Sequence, residues 1–326
     1  MKEILRVEDL TVQFKTEEGV FTAIENVSFA LAEQRTLAIV GESGSGKSVT
    51  ALAIMQLLAE NGRITSGTIV LDGENLLELT ARDVQHRILG QQISMIFQEP
   101  MTALNPILKV GDQITEVLLE HQNVTRQQAH QRAVEVLREV GIPSPEKRIN
   151  QYPHELSGGM RQRVMIAMGL VSEPKVMIAD EPTTALDVTI EAQILDLLEK
   201  LKSTFRTSIL FVTHDLNVVA DIADDVIVMY AGQIVERGSV LEVFEQPKHP
   251  YTRGLLAAMP TLDGDTSGDL PTIRGVVPSI ANRPAGCRFH NRCEFAHERC
   301  RLEAPAVYRV EGQDVRCHLF DPAIAK

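Results

Sequence analysis

The sequence predicts an α/β fold built around a phosphate-binding loop, with a small cysteine-bearing extension behind it. Three observations predict this. Residues Gly41-Glu42-Ser43-Gly44-Ser45-Gly46-Lys47-Ser48 match G-x-x-x-x-G-K-[ST] in full. Short apolar runs at 37–40, 93–97 and 176–179, of the kind that forms buried parallel strands, alternate with helical patterns. Near Pro247 the composition changes: prolines recur, and all four cysteines follow.

The loop sits in the local context that gives the motif meaning. Residues 37–40 read as a strand and 49–58 as a helix, so the glycines curl the backbone and aim N–H groups at a polyphosphate on the positive end of a helix. In that arrangement Lys47 reaches the β- and γ-phosphates and the Ser48 hydroxyl ligates Mg²⁺. The bland alternative is a Gly/Ser turn before a helix. The complete motif and both flanking elements weigh against it.

The remaining elements follow in order. Leu5, Val7, Leu10, Val12 and Phe14 alternate as in a strand, a turn follows at Glu17-Glu18-Gly19, and a second strand is expected at 27–31. Phe14 and Phe21 bracket that turn; each is a candidate to stack on a nucleotide base, and sheet packing explains each equally well. Residues 67–71 read as a strand, 81–92 as a charged helix, and 93–97 as a buried strand ending at Gln98-Glu99-Pro100. From 110 to 140 the pattern is helical and amphipathic, closed by Gly141-Ile142-Pro143. Leu156-Ser157-Gly158-Gly159-Met160 opens a helix through Leu170 with Ser157 in the N-cap role. The strand at 176–179 delivers Asp180-Glu181-Pro182 at its C-terminal end, where α/β sheets carry their chemistry. Helix 189–203, strand 208–212, a turn at Thr213-His214-Asp215, helix 216–223 and strand 225–230 continue the alternation.

Bulk properties exclude several classes. At 326 residues with 44% hydrophobic residues, a large folded domain plus a smaller one is expected. A net charge of -12 argues against a nucleic-acid surface, and the absence of tryptophan argues against a base-stacking platform. No signal-like segment opens the chain and no apolar run of about 18 residues occurs, so a cytoplasmic protein held to membranes only through partners is expected. All the cysteines lie from residue 287 onward, which disfavours a disulfide framework and makes a local metal site worth weighing.

The motifs form a set suited to phosphoryl transfer. Asp180 is placed to hold Mg²⁺, Glu181 to orient or polarise an attacking water, Gln98 to contact the metal or that water, and His214 to hold the γ-phosphate. Singly, each has an ordinary structural reading; together they reinforce one another. With these residues in view, the chain resembles the ATP-binding subunits of ABC transporters over about residues 4–245. The resemblance makes 41–48 Walker A, 176–180 Walker B, Glu181 the catalytic glutamate, Gln98 the Q-loop, 156–160 the signature motif, Ala185-Leu186-Asp187 the D-loop and His214 the H-loop. Met160 replaces the usual glutamine of LSGGQ, a departure that related peptide importers share. It further implies an ABC ATPase domain over 1–245 with an antiparallel β subdomain and a helical subdomain at about 105–170. ATP would then contact Phe14, residues Gly41 to Ser48, Val49, Gln98, Asp180, Glu181 and His214, with Mg²⁺ held by Ser48, Gln98 and Asp180.

Ser157 and the amides of Gly158 and Gly159 make a second anion site at a helix N-terminus, although the chain already has one phosphate cradle. Two such sites on one ATP require two chains. In the family, subunits pair head to tail, so each ATP lies between one phosphate loop and the partner's signature Leu156 to Met160. The helical insertion at 105–155 and the Gln98 region would grip a membrane partner, as they do in the family.

The tail narrows the branch. His249-Pro250-Tyr251-Thr252-Arg253-Gly254-Leu255-Leu256 resembles the HPYT-x-x-LL segment of the oligopeptide and dipeptide importers, a branch that also includes nickel and glutathione importers. Over 246–326 the cysteines fall as C-x5-C-x6-C-x16-C at Cys287, Cys293, Cys300 and Cys317. Four thiols in one short segment are able to surround one metal. Similar members of the branch carry a [4Fe-4S] cluster, which the resemblance implies here. Zn²⁺ is the competing cofactor and unliganded thiols the plain alternative; His290, His297 and His318 nearby are left unassigned.

The expected function is the ATP-hydrolysing subunit of a bacterial importer on the cytoplasmic face of the inner membrane, bringing in dipeptides or longer peptides. Its expected partners are a second, distinct ATPase subunit, two membrane-spanning permease subunits and an extracytoplasmic peptide-binding protein, with no nucleic acid. Nickel, glutathione and haem remain alternative cargoes. Two rivals from other classes are a soluble ABC ATPase of translation or DNA repair, and an iron–sulfur regulatory protein that binds ATP without cleaving it.

Overall fold

The computed structural model describes residues 2–98, 103–184, 186–259 and 272–323. In chain order its strands are β1 (Glu3–Thr16), β2 (Gly19–Ala32), β3 (Thr36–Val40), β4 (Gly62–Leu71), β5 (Glu74–Asn75), β6 (Ile93–Ile96), β7 (Val176–Asp180), β8 (Ser208–Thr213), β9 (Asp225–Tyr230), β10 (Gln233–Ser239), β11 (Tyr308–Val310) and β12 (Gln313–Val315). The helices used below are α1 (Lys47–Ile54), α2 (Val110–His121), α3 (Arg126–Glu139), α4 (Gly158–Leu170), α5 (Val188–Phe205), α6 (Leu216–Ile222), α7 (Val240–Glu245), α8 (Pro250–Ala257) and α9 (Glu298–Leu302). The chain divides into two compact units, one of Met1–Arg6, Ala30–Thr36 and Ile69–Phe211, the other of Val7–Phe29, Leu37–Thr68 and Val212–Lys326.

In the first unit β6 and β7 run parallel, with Ile93 opposite Val176 and Ile96 opposite Ala179, and the strand order is β8-β7-β6. Every residue of β7 and β8 is buried. That fits strands covered on both faces and explains their unbroken apolar runs. Around them stand α2, α3, α4 and α5. The expected continuous helical stretch from 110 to 140 is two helices, because Thr125 starts a new one: its hydroxyl accepts the Gln128 N–H while the Gln128 side chain accepts the Thr125 N–H. The expected helix over 81–92 is only one turn, Ala81–Asp83, running into a π-turn at Val84–Ile88.

In the second unit β1 and β2 form a long hairpin around the turn at Glu17 and Glu18, with β4 on the far side of β1. The second strand begins at Gly19, eight residues before the stretch expected from the sequence. A second sheet here has the order β11-β12-β10-β9-β3; β3 and β9 are parallel, with Val40 opposite Val228, and β9, β10, β12 and β11 follow antiparallel to one another. Helix α1 ends at Ile54, short of the expected 58, where Gln56 takes the left-handed conformation at φ 53°. The core between α6, α7 and this sheet gathers Val219, Val228, Tyr230, Val243, Tyr251 and Phe289. Residues of the tail are thus core members of the unit that carries the phosphate loop.

Candidate functional site

The phosphate loop joins buried β3 to α1, and its glycines are required by space as well as by backbone angle. Gly41 has φ 150°, and a Cβ there would lie 2.2 Å from the Met229 carbonyl oxygen. Gly46 caps α1 at φ 106°, and a Cβ there would lie 2.6 Å from Ile24. No L side chain fits either position without moving backbone or core. The far end of the loop is pinned by the Gly232 N–H, which donates to the Ser45 carbonyl at 2.7 Å.

Lys47, 6% exposed, folds back so that Nζ donates to the carbonyls of Gly41 at 2.7 Å and Glu42 at 3.3 Å. Its ammonium is thereby held over the loop. Ser45 Oγ is buried with no hydrogen-bond partner among the described residues. A buried orphan hydroxyl is costly. Together with a fixed ammonium and the amide end of α1, it fits a loop shaped for an anion's oxygens. Ser43, Gly44, Ser48 and Val49 lie on the same turn and first helical turn. Of the two candidate stacking rings, Phe14 lies against Gly62 and Phe21 near Gly19, both half-buried.

In the first unit, β7 ends on Asp180, 6% exposed, and the chain then turns at Glu181, whose φ of 47° lies in the left-handed region. A non-glycine residue held there is strained, and such strain clusters at functional sites. The turn aims the carboxylate: Glu181 Oε2 accepts from Gln98 Nε2 at 2.9 Å and from Thr184 Oγ1 at 3.0 Å. Gln98 and Glu181, 83 residues apart, are brought into direct hydrogen-bond contact. Thr184 joins them without any sequence signal, since a lone threonine carries no motif. With one side of the carboxylate held by two donors, its orientation is set before any ligand arrives, and a carboxylate so placed is suited to orienting a water.

The signature segment is arranged as a helix N-terminus. Leu156 is buried, Ser157 and Gly158 are exposed, and Ser157 Oγ accepts the Met160 N–H at 3.4 Å. Nothing lies within 4 Å of the position a Cβ would take on Gly158, so the chain is uncovered at this point of the helix N-terminus. Asp187 caps α5, accepting the Ile190 N–H at 3.0 Å, while its neighbour Ala185 lies outside the described residues, as do Glu99 and Pro100. In the second unit His214 is exposed in the turn between β8 and α6.

Residues 24–184 match the ABC transporter family, and residues 235–300 match the family described as oligopeptide/dipeptide transporter, C-terminal region. The oligopeptide transport ATP-binding protein OppD of Bacillus subtilis is 54% identical over 99% of this chain and 90% of its own length. The chain belongs to the ABC transporter ATP-binding proteins of this oligopeptide/dipeptide type. OppD of Haemophilus influenzae is 49% identical over 98% of both chains, and the dipeptide transport ATP-binding protein DppD of the same organism is 46% identical over 97% of this chain and 95% of its own length. Among solved structures, an ATP-binding cassette in a post-hydrolysis dimer bound to ADP and Pi superposes with a TM-score of 0.64 at 27% identity, covering 72% of this chain and 98% of that one. A cassette of the cbiONQ transporter complex from Clostridium perfringens gives 0.65 at 28% identity, covering 76% of this chain and 92% of that one. The fold is that of an ABC ATPase cassette. Hydrolysis of ATP, with Mg²⁺ as its companion ion, is the activity of the family.

The tail corrects one expectation. Cys287, Cys293, Cys300 and Cys317 do not form a metal centre: among the described residues no group of three or more His, Cys, Asp or Glu side chains is placed to hold a metal ion, which overturns the [4Fe-4S] assignment and equally the Zn²⁺ alternative. The thiols are packing groups. Cys287 and Cys293 lie against the apolar core, and Cys300 and Cys317 are buried. Burial pushes the Cys287 thiol up to about 11 and the Cys317 thiol up to about 12, so as packed groups both keep their protons at neutral pH.

The HPYT segment has a structural account. His249 is fully buried and caps α8, its Nδ1 accepting the Tyr251 N–H at 3.0 Å, and Pro250 occupies the first helical position, where a missing N–H is harmless. The buried Glu236 carboxylate accepts the N–H groups of Lys248 at 2.6 Å and His249 at 3.0 Å. Tyr251 reaches the phosphate loop, its hydroxyl accepting the Glu42 N–H at 2.9 Å.

Proposed function

We propose that this chain is the ATP-hydrolysing subunit that powers peptide uptake by a bacterial ABC importer. One observation carries the peptide assignment: the match of residues 235–300 to the oligopeptide/dipeptide C-terminal region, on a chain alike from end to end to oligopeptide transport ATP-binding proteins. The nucleotide-binding domain is assigned to 1–245, its helical part to about 105–170, and the extension to 246–326.

In this reading residues Gly41 to Ser48 and Val49 hold the phosphates, Phe14 or Phe21 stacks on the base, and Ser48, Gln98 and Asp180 provide the Mg²⁺ ligands. The ion supplies neutralising charge on the β- and γ-phosphates. Glu181, held by Gln98 and Thr184, orients the attacking water, and His214 contacts the γ-phosphate. Residues Leu156 to Met160 and Asp187 serve the ATP of a second, distinct ATPase subunit. The exposed helix N-terminus at Ser157 and Gly158 favours such a ligand from outside the chain. Two permease subunits and an extracytoplasmic peptide-binding protein complete the assembly. Among the described residues no helix is long and apolar enough to cross a membrane, so attachment at the cytoplasmic face runs through the permeases.

Two experiments test the reading. A strain lacking this chain loses uptake of labelled di- or oligopeptides; loss of nickel, glutathione or haem uptake with peptide uptake intact overturns the cargo assignment. In the assembled complex, Glu181→Gln abolishes phosphate release while leaving ATP bound and the ATPase pair closed. Unchanged phosphate release removes Glu181 from its role.

A further inference from the structure

Three arginines of the tail reach back to the segments around the phosphate loop, and none belongs to a sequence motif. Arg283 donates to the carbonyls of Thr22 and Ala23 at 2.5 and 2.9 Å. Arg288 donates to the Ala231 carbonyl and pairs with Glu25. Arg292 holds the loop itself: its two terminal nitrogens grip the Glu42 carboxylate at 2.6 and 3.0 Å. A forked pair of this kind fixes direction as well as charge.

The tail also fixes the guanidinium. Its Nε donates to the Arg274 carbonyl at 2.9 Å and one Nη to the Ile273 carbonyl at 3.3 Å, while the group lies 5.7 Å from the Tyr230 ring centre and 6.0 Å from that of Phe289. Tyr230, Tyr251 and Phe289 pack against one another with ring centres 4.7 to 5.4 Å apart. The Arg292 side chain is 4% exposed and that of Glu42 32%. Glu42 is thus held twice by the extension, through its N–H by Tyr251 and through its carboxylate by Arg292.

We propose that Arg292 is a positioning residue for nucleotide binding: it neutralises and pins the Glu42 carboxylate within the phosphate loop, so that the C-terminal extension sets how tightly this chain holds a triphosphate. The inference rests on reading 41–48 as the ATP cradle. A bare carboxylate in that loop repels the negative charges of ATP, and a half-shielded site lets solvent screen that repulsion only in part. Pairing with Arg292 removes the repulsion, and the fork keeps the carboxylate turned toward the tail.

The test measures Mg·ATP affinity of the full-length chain by titration calorimetry for wild type, Lys47→Ala, Arg292→Ala and Glu42→Gln/Arg292→Ala. Arg292→Ala weakens binding at least about fivefold in low salt, the deficit narrows to about twofold near 0.5 M salt, and adding Glu42→Gln restores affinity to within about twofold of wild type. A role in packing alone predicts neither the salt dependence nor the rescue. Wild-type affinity in Arg292→Ala, or no rescue by Glu42→Gln, overturns the proposal. Should Arg292→Ala fail to fold by circular dichroism, Arg292→Gln, which keeps a planar hydrogen-bonding head without charge, carries the same comparison. If wild type and Lys47→Ala bind alike, the reading of the loop itself fails; if they differ and Arg292→Ala matches wild type, only this inference fails.

Discussion

His249 offers a pH-dependent stability that is calculable from its surroundings. The ring is fully buried at the start of α8, faces Arg253 and the backbone bound to Glu236, and its ionisation is pushed down from the ordinary 6.5 to about 3, first by burial and then by Arg253. Because the folded value lies below the unfolded one, the unfolded chain takes the proton first. Stability from the neutral ring is therefore present above pH 6.5 and is lost as pH falls toward 3. Between pH 7 and pH 5 the linkage relation gives a loss of about 2 kcal/mol from this one group. Glu236 acts in the opposite sense: burial raises its carboxyl, so its own contribution falls as pH rises through the acidic range. Comparison with a variant cancels that background. His249→Asn keeps a cap acceptor for the Tyr251 N–H and removes the titration. Urea unfolding at pH 7 and pH 5, followed by circular dichroism, should show the wild type losing about 2 kcal/mol more than the variant. Equal losses in the two proteins refute the assignment of a neutral, buried His249.

Two further outcomes follow from the same structure. Gly41→Ala places a methyl group 2.2 Å from the Met229 carbonyl in a backbone conformation that alanine rarely adopts, so Mg·ATP affinity falls at least about tenfold while the circular dichroism spectrum persists; unchanged affinity contradicts the close approach. With Cys287 and Cys317 raised to about 11 and 12, their alkylation by iodoacetamide at pH 7.5 runs at least about a hundredfold slower than that of free cysteine, and elemental analysis finds no stoichiometric iron or zinc; rapid alkylation or bound iron contradicts the packing role.

The parts of this protein written in contiguous residues are legible in the chain itself. The eight residues 41–48 carry their own turn geometry, glycine freedom and charge. The apolar runs of β3, β7, β8 and β9 announce buried parallel strands because both faces of such strands are covered. Ser157 as a helix cap and the strand-end placement of Asp180 are likewise local matters. The departures from expectation also have local causes: helical periodicity does not reveal the restart at Thr125, and the charged stretch after Ala81 carries no sign of its π-turn.

Contacts between distant residues are a different matter. Gln98 and Thr184 on the Glu181 carboxylate, Tyr251 and Arg292 on Glu42, and the neutral state of His249 depend on which surfaces the packed chain brings face to face. The cysteines show the limit most clearly. Their spacing records how far apart four thiols stand along the chain, but ligation depends on how the sulfurs are grouped in space, and among the described residues no such group is placed to hold a metal ion while the thiols pack against or within the core. The nucleotide chemistry was determined by sequence because its motif is a local fold in itself. The attachment of the tail to that motif was decided by tertiary structure, because it joins side chains about 250 residues apart through burial, charge pairing and ring contacts that no local pattern encodes.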